Sequence, residues 1–332
     1  MQVLVTGGAG YIGSVVAAEL RKSGHEVVVV DNLTHGYREA VGDGTEFIAG
    51  DIADRQKLDE IFRTRKIDAV MHFAALIEAG ESMQAPERYF RNNTAGTLAL
   101  LEAMLAAGIR QMVFSSTAAV YGEPERTPIE ETDALRPANA YGESKLLVER
   151  MLAWFHRVHG FRYASLRYFN AAGAAGNLGE AHHPESHLIP LVLQVALGQR
   201  KSISIYGSDY PTPDGTCIRD YIHVLDLAGA HLLGLEALKR ESQLIFNLGN
   251  GRGFSVREVI ETARRVTGHP IPEVEAPRRP GDPAILVAGS EKIRRELGWA
   301  PRFPDLAAII SSAWDWHTRH PHGYDAPATT EC

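Results

Sequence analysis

Tyr141 and Lys145 stand four residues apart in the run Tyr141-Gly142-Glu143-Ser144-Lys145. On a helix that spacing turns a phenol and an ammonium the same way. Free tyrosine, with a pKa of about 10, is a poor base at neutral pH. A nearby cation favours the phenolate, so Lys145 makes Tyr141 a candidate general acid/base for a substrate hydroxyl. Such pairs are common on exposed helices, and context has to select this one. Ser115-Ser116-Thr117 closes an apolar run that begins at Gln111, and the Thr117 hydroxyl is placed to orient the reacting oxygen.

The start of the chain supplies a partner for that chemistry. Gly7, Gly10 and Gly13 form a G-x-x-G-x-x-G loop, with Tyr11 and Ile12 at the head of a helical pattern. Glycines suit a tight turn, a close approach of backbone to a pyrophosphate and a close helix–strand contact. A helix N-terminus offers free N–H groups and a positive dipole end to phosphates. Asp31, 18 residues after Gly13, ends the next strand, and Asn32 follows it. A carboxylate there accepts from ribose hydroxyls and repels a 2′-phosphate, which selects NAD over NADP. Asp51-Ile52 is expected at the adenine edge, with helix capping as the alternative role for Asp51. Phe73-Ala74-Ala75 lets backbone pass close to the cofactor. Asn92, Ser115 and Tyr168 complete the expected cofactor contacts, and Lys145 is also placed to hold the nicotinamide ribose.

These residues need a scaffold. Val3-Leu4-Val5, Val27 to Val30, Glu46 to Ala49, Ala69 to Phe73, Gln111 to Ser115 and Tyr163 to Tyr168 read as strands. Helical patterns fill the gaps, notably Tyr11 to Lys22, Leu98 to Ala107 and Ala140 to His159. This alternation predicts an α/β fold, a Rossmann-type doubly wound parallel sheet. A smaller mixed α/β C-terminal substrate subdomain follows. It has helices near 188–199, 225–239, 255–267, 290–297 and 305–318, and short strands near 203–206 and 244–248. The expected division is 1–170 with roughly 220–250 for the NAD-binding domain, 171–219 and 251–320 for the substrate subdomain, and 321–332 as a tail, frayed from His320 onward.

Net charge is −7, without the basic footprint of a nucleic-acid scaffold. Cys217 and Cys332 cannot build a disulfide framework or a zinc site. No apolar run is long enough to span a membrane, and Met1 to Gly7 does not read as a signal peptide. A cytoplasmic enzyme with no membrane or nucleic-acid partner is the expectation.

Longer motifs narrow the reading. Leu4 to Ser14, Asp31-Asn32-Leu33, His72 to Ala75, Gly80-Glu81-Ser82, Leu166 to Asn170, Tyr206 to Thr212, Asp214-Gly215-Thr216, Arg219 to Val224 and Arg279 to Asp282 resemble the UDP-glucose 4-epimerase family, within the extended short-chain dehydrogenase/reductase superfamily. The resemblance implies a UDP-glucose/UDP-galactose substrate, reversible epimerisation at C4 through a 4-keto sugar, and a homodimer sharing helices near 84–107 and 140–159. It implies that Arg219 and Arg279 clamp the diphosphate, where guanidinium geometry suits phosphate. It assigns Asp282 to the uridine ribose, Asn170 and Leu188 to the nucleotide sugar, and Ser204 to Tyr206 to the uracil. Tyr221 completes the implied substrate contacts.

Three positions depart from the family pattern. Ile77 replaces a lysine that contacts cofactor phosphates, and His187 replaces an asparagine at the substrate phosphate. Leu286 occupies the position that sets sugar size and is intermediate in bulk, so N-acetylated UDP-hexosamines are expected as secondary substrates. A 4,6-dehydratase needs an acid and a base beside the threonine, but Ala118 and Ala119 follow Thr117. A uronate 4-epimerase differs only in binding a 6-carboxylate. An NAD-sensing regulator would have no use for Thr117, Tyr141 and Lys145 together. His182, His183 and His187 read as loop and substrate-proximal residues, and no metal is expected.

Overall fold

The computed structural model describes residues 1–279 and 282–324. In the first half, strands β1 (Gln2–Thr6), β2 (Glu26–Asp31), β3 (Glu46–Ala49), β4 (Ala69–His72), β5 (Gln111–Thr117) and β6 (Arg162–Tyr168) alternate with helices. These are α1 (Tyr11–Lys22), α2 (Arg55–Thr64), two single turns α3 (Ala79–Ser82) and α4 (Pro86–Tyr89), α5 (Gly96–Ala106) and α6 (Ala140–His159). A π-helical stretch, Phe90–Ala95, joins α4 to α5. Later strands are β7 (Asn170–Ala172), β8 (Ile203–Tyr206), β9 (Ile218–His223), β10 (Gln243–Leu248), β11 (Gly253–Ser255), β12 (Glu273–Ala276) and β13 (Ile285–Leu286). The remaining helices are α7 (Leu188–Ala196), α8 (Val224–Ala237), α9 (Val256–Thr267), α10 (Glu291–Leu297) and α11 (Leu306–Arg319).

The main sheet has seven strands in the order β10-β6-β5-β4-β1-β2-β3. Every pairing in it is parallel. Helices cover both faces, which explains strands that are apolar throughout rather than alternating. Val3, Val5, Val27 and Val29 pack into one core with residues of α1 and α8. Leu4, Val28, Val30 and Val70 pack into the opposite core with residues of α2, α5 and α6. The strand order reverses direction between β1 and β4, and ligands of such sheets sit at the carboxyl ends beside that switch.

The chain leaves the sheet after β6, forms β7, α7 and β8, and returns through α8 and β10. Of the short strands between, β8 was legible at 203–206, while β7 and β9 were not. β9 pairs with β7 and β13 in parallel and with β11 antiparallel, while β8 pairs with β12. A third core gathers α7, α9 and α11 around Ile205, Tyr221 and Phe254.

The tail corrects one expectation. Residues 320–324 are docked, not frayed. Gly179 N–H donates to the Tyr324 hydroxyl at 2.9 Å, and Gln199 Nε2 donates to the Pro321 carbonyl at 2.6 Å. The Tyr324 ring meets Trp316 and Tyr37. Residues 325–332 lie outside the described residues.

Candidate active site

The loop after β1 turns on Gly7, whose φ of +72° is left-handed. A methyl group on Gly7 would come within 2.4 Å of Ala74 N, and one on Gly13 within 2.2 Å of Gly7 O. Both close approaches are possible only without a side chain. Gly10 caps α1 with no side-chain hydrogen bond, and no acid stands in the first turn. The helix therefore keeps its N–H groups and dipole end for an outside anion. Asp31, 8% exposed, accepts from Ala9 N–H at 3.0 Å and Leu33 N–H at 2.8 Å. Burial pushes its carboxyl up, and those two bonds oppose the shift. Asn32 Nδ2 donates to Asp51 at 2.8 Å, and Asp51 also accepts from Ala53 N–H. The capping role considered for Asp51 belongs instead to Asp54, which accepts from Lys57 N–H and starts α2. An uncapped helix end, glycines that leave room for a ligand and a buried carboxylate beyond them fit a dinucleotide.

One cavity of about 320 Å³ runs from this loop to the carboxyl ends of β4, β5 and β6. Every residue expected to hold the cofactor lines it: Gly7, Gly10, Tyr11, Ile12, Gly13, Asp31, Asn32, Asp51, Ile52, Phe73, Ala74, Ala75, Asn92, Ser115, Tyr141, Lys145 and Tyr168. Thr117, Asn170 and His187 share its wall, as does Ile77. The structure adds Glu81, from the Gly80-Glu81-Ser82 motif, and Glu78 and Glu180, acids that no local pattern marks as functional.

Asn139 caps α6 by accepting from Gly142 N–H at 2.8 Å, which sets the helical phase of Tyr141 and Lys145. The Tyr141 phenol lies beside the Thr117 side chain in the cavity wall. Burial pushes the phenol up, Thr117 lowers it, and Glu78 raises it further. Lys145 is not bonded to the phenol. Its Nζ reaches across to β5 and donates to the Ser115 carbonyl at 2.8 Å, above the Phe114 ring. Burial alone pushes Lys145 down to about 7. The carbonyl at the end of β5, not the phenol, is the acceptor that the ammonium reaches.

A buried network the sequence did not reveal holds the pieces together. Glu149, one helical turn beyond Lys145, accepts from Arg167 through both oxygens, with Nε at 2.9 Å. Ser116 donates to the same carboxylate, Arg167 Nη1 donates to the Tyr121 hydroxyl at 2.8 Å, and Tyr121 donates to Asn247 at 2.7 Å. The network ties α6 to the ends of β5, β6 and β10. Its only local cue is the spacing from Lys145 to Glu149.

Leu188, Ser204, Tyr206, Arg219, Tyr221, Arg279, Asp282 and Leu286 do not line this cavity. They lie on or beside α7, β8, β9 and β13, off the seven-stranded sheet. Arg219 is paired with Asp282 and donates to the Pro283 carbonyl at 2.8 Å, and the Arg279 guanidinium lies 4.0 Å from the centre of the Tyr206 ring. Leu286 is the β-partner of Arg219. Tyr221 is buried in the third core, and Leu188 packs against it.

Fold and site together define a dinucleotide-dependent enzyme. The chain belongs to the NAD dependent epimerase/dehydratase family, whose model matches residues 3–249. It is 58% identical to a UDP-glucose 4-epimerase of Streptomyces lividans, over 97% of this chain and 98% of that one. It is 56% identical to one of Halalkalibacterium halodurans, over 98% of each. A crystal structure of UDP-glucose 4-epimerase from Bifidobacterium longum, in complex with NAD+ and UDP, superposes with a TM-score of 0.94 at 39% identity, over 98% of this chain and all of that one.

Proposed function

We propose that this protein interconverts UDP-galactose and UDP-glucose by inverting C4 through a 4-keto sugar. The observation that carries the reading is that Tyr141, Thr117 and Lys145 line one cavity with the glycine loop. NAD, when bound, supplies the reversible hydride acceptor for C4 and a positively charged ring that favours the phenolate. The glycine loop, the α1 terminus and Asp31 hold it, with Lys145 and Tyr168 at the nicotinamide end. Tyr141 takes the proton from the 4-hydroxyl and later returns it. Thr117 holds the same oxygen. Arg219 and Arg279 grip the diphosphate, Asp282 the uridine ribose, and Tyr206 and Ser204 flank the uracil, so the sugar turns while the nucleotide stays. Asn170, His187, Leu188 and Tyr221 border the sugar nucleotide.

The carboxylates a dehydratase would need beside Thr117 are missing, since Ala118 and Ala119 occupy those positions. Leu286, intermediate in bulk at the position that sets sugar size in the family, supports UDP-N-acetylhexosamines as secondary substrates. Assembly as a homodimer through α5 and α6 accords with the exposure of Leu98, Trp154 and Val158 on those helices. No helix among the described residues is long and apolar enough to cross a membrane, in keeping with a cytoplasmic enzyme.

The test is turnover of UDP-galactose, UDP-N-acetylgalactosamine and UDP-galacturonate by wild type and Tyr141→Phe. The variant should lose about 10²–10⁴-fold in kcat, the range of general acid/base catalysis, while still binding NAD. Full activity of the variant, or preference for the uronate, overturns the reading. Absence of N-acetyl turnover removes the secondary substrate.

A further inference from the structure

The loop from β7 to α7 carries Glu180, His182, Glu185 and His187, of which the mechanism uses only His187. Both imidazole Nδ1 atoms converge on one oxygen of Glu180, at 3.0 Å from His182 and 2.8 Å from His187. His187 Nδ1 is also 3.0 Å from Glu185 Oε1. One ligand atom from each residue lies within 4.8 Å of all the others. Glu180 is buried and the other three are half-buried. The position is informative too. Glu180, His182 and His187 line the cavity that holds Tyr141 and the glycine loop. The His182 ring meets Tyr11, the first residue of α1, edge-on at 6.4 Å.

Each imidazole Nδ1 is paired with a carboxylate oxygen, and no lysine or arginine among the described residues joins the cluster. A metal ion bound here takes the place of the protons that lie between nitrogen and oxygen. The donor set also selects the ion. Imidazole nitrogen with carboxylate oxygen suits zinc and its neighbours, while magnesium and calcium prefer oxygen alone. Ligands about 2.0–2.2 Å from zinc lie roughly 3.4 Å apart in a tetrahedron. The spread seen here, 2.8 Å to 4.8 Å, closes to that by side-chain rotation.

We propose that Glu180, His182, Glu185 and His187 bind one divalent transition-metal ion of the zinc class at the edge of the nucleotide cavity. The ion pins the loop against α1. This assignment stands whichever sugar the cavity takes.

The test uses the NAD-bound enzyme, dialysed against chelator, desalted and supplied with zinc or with cobalt. After removal of free ion, bound zinc is measured by mass spectrometry, and cobalt by its visible ligand-field absorption. One zinc per chain is expected, with intense tetrahedral-type cobalt absorption. The double variant His182→Ala/His187→Ala should hold no zinc above background, and Glu180→Gln should bind at least tenfold more weakly, while His269→Ala remains like wild type. Retained NAD and an unchanged circular-dichroism spectrum identify variants that fold. Wild-type enzyme that takes up no zinc, or cobalt absorption like that of the hydrated ion, overturns the proposal whatever the variants do. Equal zinc in a folded double variant overturns it too.

Discussion

Replacing Lys145 with methionine should stabilise the NAD-free protein at neutral pH while disabling the site. The side chain is 3% exposed, and its one hydrogen bond goes to the Ser115 carbonyl. Burial holds the ammonium down at about 7. In the unfolded chain the same group keeps its proton to about pH 10.4. Between those values the unfolded chain binds more protons than the folded one, so stability rises with pH across the window from about 7 to 10.4. At about 1.36 kcal/mol per pH unit, the lysine costs the fold on the order of 4 kcal/mol at pH 7. Methionine has similar length and helix propensity and no charge, but it strands the carbonyl, which costs about 1–3 kcal/mol. The net is a gain of about 2 kcal/mol at pH 7, which shrinks and then reverses toward pH 10. Urea unfolding of both proteins at the two pH values measures it. A variant less stable at pH 7, or a difference independent of pH, refutes the argument.

Two further substitutions probe the scaffold. Gly13→Ala places a methyl 2.2 Å from the Gly7 carbonyl. Overpacking of about 1–3 kcal/mol at the loop should weaken NAD by roughly tenfold to a hundredfold in calorimetric titration, and unchanged affinity would show that the loop is not the pyrophosphate site. Glu149→Gln leaves the 2% exposed Arg167 without its anion. A cost of about 3–5 kcal/mol is expected, largely recovered in Glu149→Gln/Arg167→Met; a loss below about 1 kcal/mol in the single variant contradicts the network.

The parallel sheet was legible because its strands are buried on both faces. Val27 to Val30 needs no partner to be recognised. The Tyr141–Lys145 pair was legible because helical phase is local. The strand Ile218–His223 was not, since Arg219, Asp220 and His223 interrupt any apolar pattern. Its order comes from pairings with 170–172, 253–255 and 285–286, and from Asp220. That carboxylate, raised to about 6 by burial, accepts the N–H groups of Asn250, Gly251 and Ala288. Glu149 and Arg167 meet across 18 residues and two elements. Glu180 and Glu185 lie close to His182 and His187 in sequence, but that they share hydrogen bonds with those rings becomes apparent only once the loop has a shape.

Leu286, proposed to set sugar size, lies where the two halves of the molecule meet. It packs on Val120, Tyr121, Ile129 and Leu146, which lie between the end of β5 and the first turns of α6. Ile129 N–H donates to the Val287 carbonyl at 2.8 Å, and Gly289 N–H donates to the Ile129 carbonyl at 2.7 Å. The residue proposed to set sugar size is therefore fastened to the segment that carries Thr117 toward Tyr141. Leu286→Ala should open space for an N-acetyl group and also loosen that segment. Gain of the larger sugar should come with a loss of kcat for the smaller one, rather than as a change in KM alone. A variant that accepts UDP-N-acetylgalactosamine with wild-type kcat on UDP-galactose would show that the two halves act independently.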